Sequence, residues 1–176
     1  MTIAAQKPPE YASITTLARI RDARPCRGGW GELLKHLGKT AADDEPLPLL
    51  TVLDSNGLDD ALWVLSHAMP DDRLARHFQA WCAEQVLHLF EAERPDDRRV
   101  RDQIAMLRND EATAEERAAA WDAAGDAAGA AWAAGDAAGD AAGDAAGAAW
   151  AAGAAWAAGA AARDAQEMQL RRMLSE

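Results

Sequence analysis

The chain has 176 residues, with 18 Lys and Arg against 29 Asp and Glu and a formal net charge of −11. This length accommodates one domain, or one domain with an appendage, because domains run to roughly 100–200 residues. The acidic balance argues against a Lys/Arg surface for nucleic-acid phosphates or for an anionic membrane, and it favours a basic protein partner instead.

The first 12 residues, MTIAAQKPPEYA, contain two consecutive prolines and no apolar core run. They predict a disordered N-terminal tail rather than a secretion signal. The two cysteines, Cys26 and Cys82, are far apart and form no CxxC pair, which is typical of a reducing compartment. We therefore expect a cytoplasmic protein.

Residues 13–112 predict a helical domain. Its first helix is expected to be capped by Ser13 and to run to about Arg24, before a proline. Its second is expected over 30–37, where Trp and Leu recur at helical spacing, and to stop at Gly38.

The apolar run 47–53 is ambiguous between a strand and a helix. One isolated strand would need a partner that the sequence does not indicate, so a short helix is the better interpretation. The next helix is predicted over LDDALWVLSHAM, with Ser55 and Asn56 as its caps and two aspartates in its first turn.

Two helices are predicted to begin at the same Pro-Asp-Asp motif. Pro70-Asp71-Asp72 opens a helix that is expected to reach Glu93, and Pro95-Asp96-Asp97 opens another that carries the apolar residue Ile104. Thr113 and Glu116 then have the spacing of a capping box, which predicts one more helix start.

The tract 118–162 consists of 28 Ala, 8 Gly, 5 Asp and 4 Trp. At about 100 degrees per residue, its Asp, Gly and Ala sort onto different sides of a helix as far as about residue 152. A long helix or a helical hairpin is therefore predicted, within an array of residues 113–176 that packs on the helical domain. The predicted fold class is all-α: a helical bundle with a long Ala/Gly-rich C-terminal helix or hairpin.

The aspartates of this tract are candidates for contact with a partner. Three of them recur every four residues, about 6 Å apart on a helix, which is close to the phosphate spacing of a nucleic-acid strand. A simpler interpretation is that the aspartates keep an Ala-rich helix in solution. The candidate partner-binding residues are Asp122, Asp126, Asp136, Asp140, Asp144, Trp132 and Trp150.

No pattern in the sequence predicts catalysis. HLGKT lacks the earlier glycine and the strand of a phosphate-binding loop, and DSNGLDD has its glycine at the wrong position for a calcium loop. The four histidines form no metal-ligand spacing. We therefore expect a non-enzymatic protein without catalytic residues, cofactor or metal.

The run GGWGELLKHLGKTAADDEPLPLLTVLDSNGLDDALWVL, the later WCAEQVLHLFE and the Ala-rich array ending in AQEMQLRRML resemble the Imm5-like family of bacterial and phage immunity proteins. The resemblance extends over nearly the whole chain from about Trp30, and the central run is its specific part. It implies a protein that binds and neutralises a cognate toxin. It supplies no motif of functional residues, and the array here is richer in Gly and Asp and poorer in Arg than is usual in the family.

Two alternatives remain open. An acidic inhibitor from a phage or mobile element could mimic DNA and block a nuclease or a host-defence complex. An Ala-rich surface could also recognise ice if its flat Ala side faced solvent.

Overall fold

The computed structural model describes residues 13–120, 122–123 and 154–175. The fold is all-α, as predicted. Within the described residues, seven helices accompany one antiparallel pair of two-residue strands. The elements are β1 (Ile14–Thr15), α1 (Leu17–Asp22), α2 (Arg27–Leu37), β2 (Leu47–Pro48), α3 (Leu49–His67), α4 (Arg73–Glu93), α5 (Arg99–Arg108), α6 (residues 114–120) and α7 (Ala154–Ser175).

The predicted start of the first helix is wrong, because the chain first forms β1. Ile14 pairs with Pro48 of β2, which keeps residues 14–15 extended. Helix α1 starts only after Thr16, whose hydroxyl accepts a hydrogen bond from the Arg19 amide at 3.2 Å. Ser13 instead accepts, through its carbonyl, a hydrogen bond from the Leu49 amide. The run 47–53 thus contains both structures, two strand residues followed by helix.

Helix α2 begins earlier than predicted and ends as predicted. Its N-cap is Cys26, whose sulfur accepts a hydrogen bond from the Gly29 amide at 3.3 Å. Gly38 ends the helix in the left-handed region at φ 65°, a conformation that glycine adopts without strain.

Helix α3 contains a sharp kink at Gly57, where φ is 81° and ψ is −176°. Helical structure resumes after Gly57, so the helix predicted from Leu58 is confirmed, whereas the hydrogen bonds of the Ser55 and Asn56 side chains go to groups other than the backbone N–H groups of its first turn. The Ser55 hydroxyl donates to the Val52 carbonyl and to the Asn56 side chain, and the Asn56 amide donates to the Gly29 carbonyl of α2 and to the Asp60 carboxylate further along α3. Glycine makes this kink possible because this backbone region is essentially closed to other residues.

The chain divides into two compact units, of which the first comprises Met1–Ala75 with Glu167–Glu176. Its core is aliphatic, and Arg171 joins Asp54 of α3 to Glu167 of α7 through its guanidinium. Thr15, a buried polar residue, donates its hydroxyl to the Ala68 carbonyl. The largest fully buried aliphatic side chains of this unit are Leu17, Ile20, Leu49, Val52, Leu53, Leu74 and Leu170.

The second unit comprises Arg76–Gln166. Ala80, Ile104 and Leu107 form its buried cluster. The buried guanidinium of Arg76 donates to the Leu107 carbonyl at 2.8 Å and to the Asp110 carboxylate at 3.1 Å.

The helix starts predicted at the two Pro-Asp-Asp motifs and at Thr113 are confirmed. The Asp71 and Asp97 carboxylates accept the backbone N–H groups of Arg73 and Arg99, at 3.0 Å and 3.1 Å. The capping box is reciprocal: in the Thr113–Glu116 pair, each residue's amide donates to the other's side chain, at 2.8 Å and 3.1 Å. The predicted division at residues 112 and 113 stays a prediction, because most of the Ala-rich tract lies outside the described residues.

Candidate functional site

One of the seven predicted partner-binding residues lies in the described part of the chain. Asp122 is helical and exposed. The other predicted residues, Asp126, Asp136, Asp140, Asp144, Trp132 and Trp150, lie outside the described residues. Nucleic-acid mimicry by the aspartate row therefore stays a prediction, and so does the ice-binding alternative.

A cleft in the first unit is the strongest candidate site. Residues of α1, α2 and α3, together with the turn between α1 and α2, enclose a cavity of about 210 Å³. Two half-buried tryptophans, Trp30 of α2 and Trp63 of α3, line it together with aliphatic side chains such as Ile20 and Leu33. Its polar part comes from Asn56 and the residues that follow the kink.

Asn56 holds together the polar edge of the cleft. Its amide nitrogen donates to the Gly29 carbonyl of α2 and to Oδ2 of Asp60, both at 2.8 Å. Its amide oxygen accepts the Ser55 hydroxyl at 2.6 Å. Because both N–H bonds and the oxygen are engaged, Asn56 fixes the position of the Asp60 carboxylate.

Asp60 is half-buried beside the first turn of α2, and Asp59, next to it, is exposed. Among the described residues Oδ2 of Asp60 is held by Asn56, whereas Oδ1 accepts no hydrogen bond. The first turn of a helix attracts negative charge through its free N–H groups and its dipole, which suits a carboxylate at this place. Asp60 thus lines the cleft with a positioned carboxylate, of which one oxygen accepts no hydrogen bond from the described residues.

The orientation of Trp63 is also fixed. The His67 ring stacks on it at a centroid distance of 5.0 Å and an interplanar angle of 16°. Nδ1 of His67 donates to the Trp63 carbonyl at 2.8 Å, one helical turn away. An aromatic wall held in this way loses little conformational freedom when a ligand packs against it.

The thiols differ in their surroundings. Cys26 is exposed, lines the cleft and caps α2. In the second unit, burial raises the pKa of the Cys82 thiol, against the opposing effect of a hydrogen bond with Gln166. The Cys82 environment therefore disfavours the thiolate that a nucleophile would need.

The described helices do not include one that is both long and apolar enough to cross a membrane. Nor do the described residues bring together three or more His, Cys, Asp or Glu side chains in an arrangement that could hold a metal ion. The chemistry that the cleft offers is recognition: aromatic faces and a fixed carboxylate attract a cation.

The sequence places Trp30 in one predicted helix and Asp60 in the first turn of another, and no pattern connects the two. Both line the cleft, next to the hydrogen bond that joins Asn56 to Gly29, 27 positions away in the chain. A local pattern carries no signal for such a contact.

No family model, curated protein or solved structure matches the chain. The fold and the cleft therefore define its class: an all-α protein with a small acidic cleft lined by tryptophans. The resemblance to the Imm5-like family stays a prediction.

Proposed function

We propose that the chain is a non-enzymatic binding protein that neutralises a basic protein toxin, as an immunity protein does. The observation that carries the proposal is the cleft, in which Trp30 and Trp63 accompany the positioned carboxylate of Asp60. Tryptophan is enriched among the few residues that contribute most of the binding free energy at protein interfaces. The sequence resemblance to immunity proteins supports the same conclusion.

Charge supports the proposal in a second way. A chain with a net charge of −11 attracts a basic partner over a distance and accelerates their encounter. This long-range attraction does not select one basic protein from another. Selection comes from the cleft, because its walls and its carboxylate accept a group of defined size and charge.

The test is protection of a bacterial host. The product of the gene next to the gene for this chain is expressed in the host with and without the chain, and growth is followed. We expect growth arrest without the chain and recovery with it. Asp60→Asn and Trp63→Ala should reduce the recovery and weaken binding of the purified toxin by at least about tenfold, since each removes an interface anchor.

Asp44→Asn is the matched control. Asp44 is exposed in the loop before β2 and outside the cleft, and its substitution changes the net charge by the same amount as Asp60→Asn. It should protect as the parent chain does. Circular dichroism of each variant separates lost binding from lost folding. A toxic neighbouring product that neither binds the chain nor is relieved by it would contradict the proposal.

A further inference from the structure

We infer that the cleft receives one arginine side chain of the partner, with its guanidinium against the tryptophans and Oδ1 of Asp60. The inference rests on the proposed function for the origin of that arginine. Recognition of the guanidinium itself requires no toxin and is testable with a small compound.

The size of the cavity limits what can enter. Sites for drug-sized ligands and cofactors have volumes of roughly 300–1,000 Å³. The cavity here, at about 210 Å³, is smaller than that range. A single side chain fits this volume better than a nucleotide or a complete peptide segment does.

The charge of the lining selects a cation. Among the described residues no basic side chain lines the cavity, whereas the carboxylates of Asp59 and Asp60 do. Asp59 is engaged in an interaction of its own, so the carboxylate that remains for a ligand is that of Asp60. Asp60 is half-buried, and its orientation is set by Asn56 through Oδ2. An incoming N–H donor that pairs with Oδ1 completes the hydrogen bonding of this carboxylate, and a charged donor gives a shorter and stronger hydrogen bond than a neutral one.

The aromatic walls favour arginine over lysine. A guanidinium is planar and weakly hydrated, so it stacks on an indole while its edge still donates hydrogen bonds. An ammonium is compact and strongly hydrated, and it loses more solvation when it enters an apolar space. The aliphatic side chains of Ile20, Leu33 and Val52 line the same cavity and can cover the methylene stem of the arginine.

The experiment titrates the full chain with N-acetylarginine methylamide. The comparison compounds are the citrulline analogue, which replaces the guanidinium by a neutral urea of the same shape, and the lysine analogue. Binding is followed through the indole N–H signals in ¹H–¹⁵N NMR spectra, with Trp30→Phe and Trp63→Phe used to assign the two signals. The arginine compound should shift both signals and bind at least about tenfold more tightly than either analogue, as expected for a charge-assisted hydrogen bond.

Two variants locate the carboxylate that is responsible. Asp60→Asn should weaken binding of the arginine compound by about tenfold, since it keeps the shape and removes the charge. Asp44→Asn should leave the affinity within about twofold, because an exposed distant charge is screened by salt. Both variants should retain the parent circular dichroism spectrum.

Three outcomes would overturn the inference. Equal affinity for the citrulline compound would mean that the cleft selects shape and not charge, and tighter binding of the lysine compound would exclude stacking as the basis of selection. Shifts confined to other indoles would place the compound elsewhere. If the arginine compound binds as expected but Asp60→Asn protects a host fully from the toxin, the cleft inference stands and its proposed role in neutralisation fails.

Discussion

The carboxylate of Asp60 occupies the space beside Gly29 that a side chain at position 29 would need. A β-carbon built on Gly29 would overlap Oδ2 of Asp60 and lie 3.0 Å from its Cγ. The overlap with Oδ2 means that a side chain at position 29 cannot coexist with this position of the carboxylate. The absence of a side chain on Gly29 therefore lets α3 bring its acid against the first turn of α2, where the cleft opens.

Gly29→Ala and Gly31→Ala form a matched pair that tests this contact. Both replace a glycine within α2, and alanine favours a helix by up to about 1 kcal/mol per residue. A β-carbon on Gly31 meets nothing within 4 Å, so that variant should gain most of this stability. Gly29→Ala should be about 1 kcal/mol less stable than Gly31→Ala, because Asp60 must rotate and lose its hydrogen bond with Asn56.

Urea unfolding of both variants measures this difference. Gly29→Ala should also weaken binding of N-acetylarginine methylamide, whereas Gly31→Ala should not. Equal gains in stability for the two variants would show that Asp60 is not held against α2 in solution.

Gly38 and Gly57, which both have positive φ, should differ in how much stability the chain loses when each is replaced by asparagine. Gly38 lies at φ 65° and ψ 25°, a region that asparagine visits more readily than most residues. Gly57 lies at φ 81° and ψ −176°, a region that is almost closed to side chains. Gly57→Asn should destabilise the chain by about 1–3 kcal/mol, and Gly38→Asn by less than about 1 kcal/mol. Thermal unfolding followed by circular dichroism gives both values, and the reverse order would contradict the kink at Gly57.

Asp97 should titrate well below an ordinary aspartate. The side chain and the backbone N–H of Arg99 hold the pKa of its carboxyl at about 2, against the usual 3.8. A lowered pKa stabilises the folded chain at pH values above 3.8, and this contribution disappears as the pH falls from 3.8 through 2. A ¹³C NMR titration of the carboxyl measures the pKa directly.

Replacing the arginine tests the cause of this shift. Arg99→Ala should raise the pKa of Asp97 towards 3.8 without reaching it, since the backbone N–H of residue 99 still donates. Arg98→Ala is the control, because Arg98 pairs with Asp102 instead. A pKa for Asp97 that stays near 2 in Arg99→Ala would refute the assignment to the arginine side chain.

The capping box before α6 should behave as a coupled pair. Thr113→Ala and Glu116→Ala each remove one of two reciprocal hydrogen bonds. Each should lower the free energy of unfolding by about 0.5–1 kcal/mol. The double variant should cost less than the sum of the single variants, since the two residues share one cap. Amide hydrogen exchange at residue 116 reports the local effect, and strict additivity would contradict the reciprocity.

What the sequence could predict depends on how far apart the interacting residues are. Asp71, Asp97 and the Thr113–Glu116 pair bind groups two or three residues away, so their patterns are visible locally. Ser13 and Thr16 are both suitable caps by residue type. The pairing of Ile14 with Pro48 decides in favour of Thr16, and that pairing joins distant parts of the chain.

The candidate site was beyond prediction for the same reason. The cleft depends on the kink at Gly57. Next to this kink, Asn56 connects α3 to α2 through its hydrogen bond with Gly29, whereas the sequence predicts it to be a helix cap. The residue types of the motif around it fit a helix cap equally well, so the sequence predicts capping there. The predicted site on the Ala-rich tract followed a visible periodicity instead, and apart from Asp122 its residues are not among those that the structure describes.

Arg76 and Arg108, two arginines of the second unit, should differ in their tolerance to replacement by lysine. Arg76 is buried, and different nitrogens of its guanidinium donate to the Leu107 carbonyl and to the Asp110 carboxylate. Lysine has one nitrogen in place of the guanidinium, so Arg76→Lys cannot serve both acceptors. Because Asp110 keeps His77 as a neighbour at 3.3 Å, the loss should fall on the Leu107 carbonyl and lower the free energy of unfolding by about 1–3 kcal/mol. Arg108 pairs with Glu84 at the surface, and Arg108→Lys should cost less than about 0.5 kcal/mol because exposed ion pairs contribute little. Guanidinium chloride unfolding compares the two variants, and equal effects would mean that the buried arginine does not hold α4 to the end of α5.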